Sequence, residues 1–402
     1  MSAPHHPSRS LRFGAALFLG WATSGFAAET DIEARFAALE SRLAAVEREN
    51  ARLRSQLEVR SVRPPAPPLA PAADAPPSAA AAELPAPAPK SILRSLKFAG
   101  YAQIHAELGG EPDRRFTDVD NRIFIRRVDI GVSGELSHGF AFKTEAELSS
   151  GSLGEKSGHT PRLTDAYVTW AATDQFGLKI GQFKSPFGRA QLMSNTKLPL
   201  VERPLSSDSL TVSRQVGIAA EGSADPGIPL TYSLGFFNGT GANNSFTTNS
   251  EFMTVGRVAA QVWSNDKSVW DIATNAYHYD PATAGRDRRI GWGIDTRFKF
   301  GRSETEAEYL QLTTDRTGLP TATAEGWWIT SLWNLAPQWQ AVLRFDSYDP
   351  NTDLAGDDTT AWTFGGNYLV RGDDIKFSLN YLWGDSPAAH EGRLLGRLQV
   401  KF

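Results

Sequence analysis

Five basic side chains crowd one stretch of this chain, Lys184, Arg189, Lys197, Arg203 and Arg214, against Glu202 and Asp208 alone. In a chain whose formal net charge is −4, that local excess of cations is informative. Guanidinium and ammonium groups around a narrow passage supply the donors and the positive potential that a dehydrating anion needs. Arg127 is a sixth candidate for such a constriction, with Arg122 and Arg126 beside it; Arg393, Arg397 and Lys401 add charge near the C-terminus. The expected solutes are small anions. Two features pull the other way. The same cations on an outer loop would face solvent or bind lipopolysaccharide phosphates, and Glu145, Glu147, Asp165, Asp295, Glu306 and Glu308 stand ready to offset them.

Other chemistry finds little support in the residue types. With no cysteine, the chain has no disulfide, no thiolate metal site and no thiol nucleophile. Histidines at 105, 138, 159, 278 and 390 are scattered, no G-x-S-x-G nucleophile motif occurs, and no His or carboxylate spacing matches a metal site. The chain therefore reads as a non-enzyme without cofactor or metal. Its negative balance also lacks the basic field that a nucleic-acid partner requires.

The elements that must position these residues fall into four parts. Residues 1–28 are predicted to be a secretory leader. Arg9 and Arg12 precede the apolar run Phe13–Gly20, and small residues at Gly25, Ala27 and Ala28 offer a cleavage site. Residues 29–60 carry a heptad. Phe36, Leu43, Asn50 and Leu57 occupy a, and Ile32, Leu39, Val46 and Leu53 occupy d. The flanking pairs Arg35–Glu40, Arg42–Glu47 and Glu49–Arg54 are opposite in sign, as a parallel coiled coil requires, and Asn50 is expected to set its register. Residues 61–92 are rich in Pro and Ala, an extended tether that reaches about 90 Å. With the coil in the periplasm, peptidoglycan is a further candidate partner.

From 93 to 402 the period changes to two. Phe98, Gly100, Ala102, Ile104, Ala106 and Leu108 share one face, opposite Lys97, Tyr101, Gln103, His105 and Glu107. Sixteen strands are predicted, near 97–108, 122–136, 139–149, 163–171, 175–185, 211–222, 229–238 and 252–263, then 268–279, 290–300, 303–314, 325–334, 337–346, 360–370, 373–383 and 393–402. Turns such as Ser137–Gly139 and Gly301–Arg302 alternate with long loops, the longest near Pro186–Leu210. Short inner turns, long outer loops and an even strand number describe an all-β, sixteen-stranded antiparallel transmembrane barrel in a bacterial outer membrane. Trp170, Trp263, Trp270, Trp327, Trp328, Trp333, Trp339 and Trp383 sit towards strand ends, where interfacial girdles place aromatics. The final Phe402 on an alternating strand is expected to be the signal read by the barrel assembly machinery.

Four segments carry a family resemblance: Phe98-Ala-Gly-Tyr-Ala-Gln103, Arg126-Arg-Val-Asp-Ile-Gly-Val-Ser-Gly134, Leu163-Thr-Asp-Ala-Tyr-Val168 and Lys179-Ile-Gly-Gln-Phe-Lys-Ser-Pro-Phe-Gly188. In these the chain resembles the phosphate-selective porins related to the O and P porins. The resemblance implies a homotrimer and passive uptake of phosphate or related anions. The chain departs from the family pattern in a sparser set of Arg and Lys, which leaves open a general or weakly cation-selective porin that also tethers the membrane. Deleting residues 29–90 is expected to leave conductance intact. Loss of envelope attachment in that variant would identify the tether as a separate role, and loss of conductance would contradict the division.

Overall fold

A computed structural model describes residues 91–116, 121–149, 160–247, 250–280, 287–316, 318–385 and 390–402. The leader, the coiled coil with Asn50, and the Pro/Ala tether up to Lys90 lie outside the described residues. The strands in chain order are β1 (Leu93–Gly109), β2 (Arg122–Leu136), β3 (Phe140–Glu147), β4 (Arg162–Ala171), β5 (Phe176–Lys184) and β6 (Arg214–Ala224). They continue with β7 (Leu230–Phe237), β8 (Met253–Ser264), β9 (Ser268–Tyr279), β10 (Arg288–Phe300) and β11 (Ser303–Asp315). The last five are β12 (Ala322–Ala336), β13 (Trp339–Asp349), β14 (Thr359–Arg371), β15 (Ile375–Asp385) and β16 (His390–Lys401). Each pairs antiparallel with its sequence neighbour, and β1 pairs with β16 to close the barrel.

The period-two pattern explains the two surfaces. On β1, Gln103, His105 and Glu107 are buried inside while Phe98, Ile104 and Leu108 are exposed outside. The same outward band holds Ile180, Leu234, Ile294, Phe364 and Leu379, side chains that only a hydrocarbon solvent would cover. Strands of about ten residues at a tilt near 40° span its roughly 25 Å height.

One departure from simple alternation and one aromatic of unexpected face matter inside. A register shift lets Gln103 pair with Arg127 and Ile104 with Ile125, so the ladder to β1 skips Arg126. That bulge turns two consecutive arginines towards the lumen, which a regular strand cannot do. Trp328 is the second case. It does not belong to the girdle, because it follows the outward Trp327 and so faces in, where its Nε1 donates to Glu308 at 2.9 Å.

Residues 185–213 between β5 and β6 fold into the lumen and carry two short helices, α1 (Arg189–Leu192) and α2 (Leu205–Leu210). Strand β6 begins at Arg214, three residues later than the alternation suggests. Thr211 N–H still closes the last turn of α2 on Ser207 O, and Ser213 takes a left-handed φ of 53°.

The seam that closes the barrel runs from Gly109–Arg393 to Tyr101–Lys401, and Phe402 extends it by one more pair. Gly100 and Phe402 exchange both backbone hydrogen bonds at 2.9 Å. A Cβ on Gly100 would stand 2.7 Å from Asp129 O and 2.8 Å from the Phe402 ring. Gly100→Val is therefore expected to block the seam between β1 and β16, read as loss of the heat-modifiable compact band on electrophoresis. Wild-type mobility would contradict this account of closure.

Candidate functional site

A loop drawn through a barrel cannot leave its backbone polar groups unmatched where water is excluded. The loop after β5, called L3 below, has little regular structure of its own, so the wall must supply partners. Cations take its carbonyls. Lys184 Nζ donates to Gln191 O at 2.7 Å and Met193 O at 2.8 Å. Lys376 Nζ donates to Thr196 O at 3.0 Å and Leu198 O at 3.1 Å. Arg397 reaches Leu198, Leu200 and Val201 carbonyls, and Arg344 reaches Glu202 O at 2.8 Å. Carboxylates and amides take its N–H groups. Asp346 caps α2 by accepting from Leu205 N–H at 2.6 Å, Glu308 caps α1 by accepting from Arg189 N–H, and Asn380 accepts from Val201 N–H at 2.6 Å. Gly188, at the N-cap of α1 with φ 81°, allows the turn that brings Arg189 onto Glu308.

One carboxylate ties the loop to β1 and β2. Glu202 accepts from Arg126 Nε at 2.8 Å and lies 3.6 Å from both Arg127 and His105 Nδ1. Burial alone would raise its pKa. The guanidinium groups of Arg126 and Arg127, with His105, outweigh burial and hold Glu202 well below the usual carboxylate range. The neighbouring Arg203, which donates to Ala190 O and Met193 O, is pushed down to about 10 by burial and by Arg127. The depressed acid reports the cations around it, whereas Arg203 is lowered first by burial and only then by Arg127.

The candidate residues of the sequence can now be placed. Lys184 and Arg203 share the Met193 carbonyl and so meet at one point of the loop. Arg189 pairs with Glu306 at 2.6 Å and Asp295 at 3.3 Å. Arg214 pairs with Asp165 at 2.7 Å, and Arg127 donates to Gln103 Oε1 at 2.9 Å. Lys197 is exposed and lines a cavity of about 350 Å³ with Glu304, Glu306 and Asp373. Thus Lys184, Arg203, Arg214 and Arg127 gather near the L3 root, whereas Arg189 and Lys197 face the acidic wall of β10 and β11.

Sequence reasoning missed Lys376, Arg344, Asp346 and Asn380. Their only signal was a polar residue at an inward position of β13 or β15. It also missed an apolar cluster inside the barrel, in which Phe183, Phe187, Phe237, Met253, Tyr277 and Leu310 are buried together. The wall away from the L3 root is mixed in sign. Lys143 pairs with Asp165 at 2.8 Å, and Arg257 with Asp295 at 2.6 Å.

The family model for phosphate-selective porin O and P matches residues 98–260 and 281–402. The chain belongs to the phosphate-selective porin O and P family. Barrel fold and family together make it an outer-membrane porin, a passive channel. Among solved structures, this porin is similar to an anion-selective porin from Comamonas acidovorans, at 10% identity and a TM-score of 0.58, covering 77% of this chain and 99% of that one. It is similar also to OmpT of Vibrio cholerae in its trimer form, at 11% identity and TM-score 0.55, over 77% and 99%. A third is the outer membrane channel DcaP of Acinetobacter baumannii, at 13% identity and TM-score 0.52, over 76% and 97%. At these identities the likeness concerns the fold.

Glu202→Gln keeps the shape of the latch and removes its charge, leaving Arg126 and Arg127 uncompensated, a change that costs about 3–5 kcal/mol for a buried pair. The porin is expected to show larger and noisier single-channel currents; unchanged currents would remove Glu202 from the latch. Because the folded pKa of Glu202 is depressed, its contribution is full above the ordinary carboxylate pKa and is lost only as pH falls through the lower folded value. The carboxylate of Glu202 is accordingly expected to stay ionised between about pH 7 and pH 5 and to protonate only in stronger acid, read from its infrared carboxylate band as the difference from Glu202→Gln. Protonation already at about pH 5 would contradict the depressed value.

Proposed function

We propose that this porin is a homotrimeric channel with a preference for small anions, phosphate among them, crossing the outer membrane by passive diffusion. The observation that carries this reading is Glu202, buried at the L3 root among guanidinium groups. Four cations, Arg126, Arg127, Arg344 and Arg397, bond its carboxylate or the backbone of its own segment, or lie within 4 Å of it. Arg344 is itself matched by Asp346 at 3.8 Å, so two acids stand among four cations; the excess is positive, and an anion entering this region loses less on dehydration than a cation does. Lys184, Arg203, Arg214 and Arg127 are the residues assigned to that field. Arg189 and Lys197 contribute at the acidic wall. The trimer is supported by the trimeric neighbour of the same fold.

The remaining partners follow from position. Lipid and lipopolysaccharide cover the outward apolar band. Phe402, exposed at the seam, serves as the element that the assembly machinery reads. Residues 29–60 act as a periplasmic coil against the cell wall. A second reading, a general or weakly cation-selective porin, draws on one observation, the pairing of Arg189, Arg257 and Arg297 with Asp295, Glu306, Asp271 and Glu304.

The reversal potential of the reconstituted protein under a potassium chloride gradient separates the two. Reversal on the anion side, with phosphate reducing chloride current, is the expected result. Reversal on the cation side would overturn the anion reading, and anion-side reversal without phosphate block would leave an anion pore with no phosphate site. Native mass measurement in detergent is expected to give three copies.

A further inference from the structure

Between L3 and the loop-side rim of the barrel lies a cavity of about 380 Å³, bounded by Ser209–Ser213, by Gly239–Ala242 and by the ends of β6, β9 and β10. Its volume falls in the range of small-molecule sites. The lining divides by chemistry. Leu210, Met253, Tyr277 and Tyr279 belong to the apolar cluster inside the lumen, and Leu312 packs against them. A conduit for hydrated ions alone has no use for an apolar wall.

Two glycines show that this lining is built. A Cβ on Gly291 would meet the Tyr277 ring at 2.2 Å, and one on Gly239 would meet the Tyr279 ring at 2.4 Å. Each glycine makes room for a ring to lie flat beside the cavity. The ring of Phe187 meets Tyr277 edge-on, 4.9 Å between centroids, which fixes Tyr277 further.

Polar groups complete the lining, among them Thr211, Ser213, Gln215 and two arginines. Arg289 continues the inward column of β10 above Gly291, is exposed, and has no ion-pair partner among the described residues. Arg214 borders the cavity across from it, engaged with Asp165 and Glu145. The Tyr279 hydroxyl is buried and lacks a hydrogen-bond partner among the described residues. The cavity thus offers a cation, a donor and a wall of rings and aliphatic side chains. Inorganic phosphate would use Arg289 and waste the apolar wall; a neutral sugar would leave the charge of Arg289 unanswered. A carboxylate attached to an apolar ring uses both, with a fork of N–H donors for the carboxylate and edge or face contacts for the ring.

We propose that this cavity is a binding site for small aromatic carboxylates, in which Arg289 takes the carboxylate and Tyr277, Met253 and Leu312 take the ring. The site rests on the reading of the protein as an anion-preferring pore and names a solute class for it beyond phosphate.

The test uses the full-length protein in planar bilayers, with sodium benzoate and sodium phosphate as probes of chloride current at matched ionic strength. Benzoate is expected to half-block at about tenfold lower concentration than phosphate, the advantage that burying part of a ring supplies. Arg289→Ala is expected to abolish that difference, and Arg289→Lys to restore part of it, since a point charge replaces the fork. Leu312→Asn is expected to weaken benzoate and leave phosphate block as it was. Equal block by the two anions, or benzoate block that survives Arg289→Ala, would overturn the proposal. Reversal on the cation side would overturn the anion preference of the pore, whereas an Arg289-dependent benzoate block in the same protein would still support the site.

Discussion

The interior of this porin depends on one requirement, that the backbone of L3 find hydrogen-bond partners inside a barrel wall. A buried carbonyl or N–H left unmatched costs about 1–3 kcal/mol. L3 spans 185–213 with two short helices and one 3-10 turn at Asn195–Lys197 to satisfy itself. The wall answers with ions. Lys184, Lys376, Arg344 and Arg397 approach carbonyl oxygens, and Asp346 and Glu308 approach helix N-termini. Each ion in turn trades its hydration for backbone dipoles, so the loop and the charges stabilise one another.

The same groups therefore serve two ends. An arginine that holds a carbonyl, as Arg344 and Arg397 do, is still a cation, and its charge still enters the potential felt by a passing solute. Structural anchoring fixes the cations on rigid strands, where their positions do not shift as ions pass. It also explains why simple counts of Arg and Lys mislead about selectivity. Arg189, next to Glu306 and Asp295, is nearly neutralised, whereas Arg203 has two carbonyls and a neighbouring arginine for company.

Much of the fold was legible because a membrane barrel writes its two solvents into alternate residues. Phe98, Ile104 and Leu108 against Gln103, His105 and Glu107 leave little choice of face, and the turns at Ser137–Gly139 and Gly301–Arg302 fall where the alternation stops. Legibility ended where the period broke or where partners were distant. The bulge at Arg126 is a local register that alternation alone does not predict, whereas Trp328 obeys alternation and was assigned to the girdle by residue type instead. Lys376 and Arg344 carry no motif, since what makes them anchors is a loop from another part of the chain. The candidate cations were found by type, but their work as carbonyl donors needed the geometry. The coil and tether, by contrast, speak through sequence alone.

The anchors also set an order of events. Arg344 follows its L3 partner by 142 residues, Lys376 follows by 178 and 180, and Arg397 by 196 to 199. Contacts of such separation are slow to form, because a long stretch of chain must be ordered before they repay its entropy. When β5 and β6 first pair, the loop between them has Lys184 and the arginines of β2 to hold it, but not Arg344, Lys376 or Arg397. L3 can settle fully only after β13, β15 and β16 arrive. Biogenesis must then close a barrel around a half-fastened segment, whose final anchoring waits for the last strands.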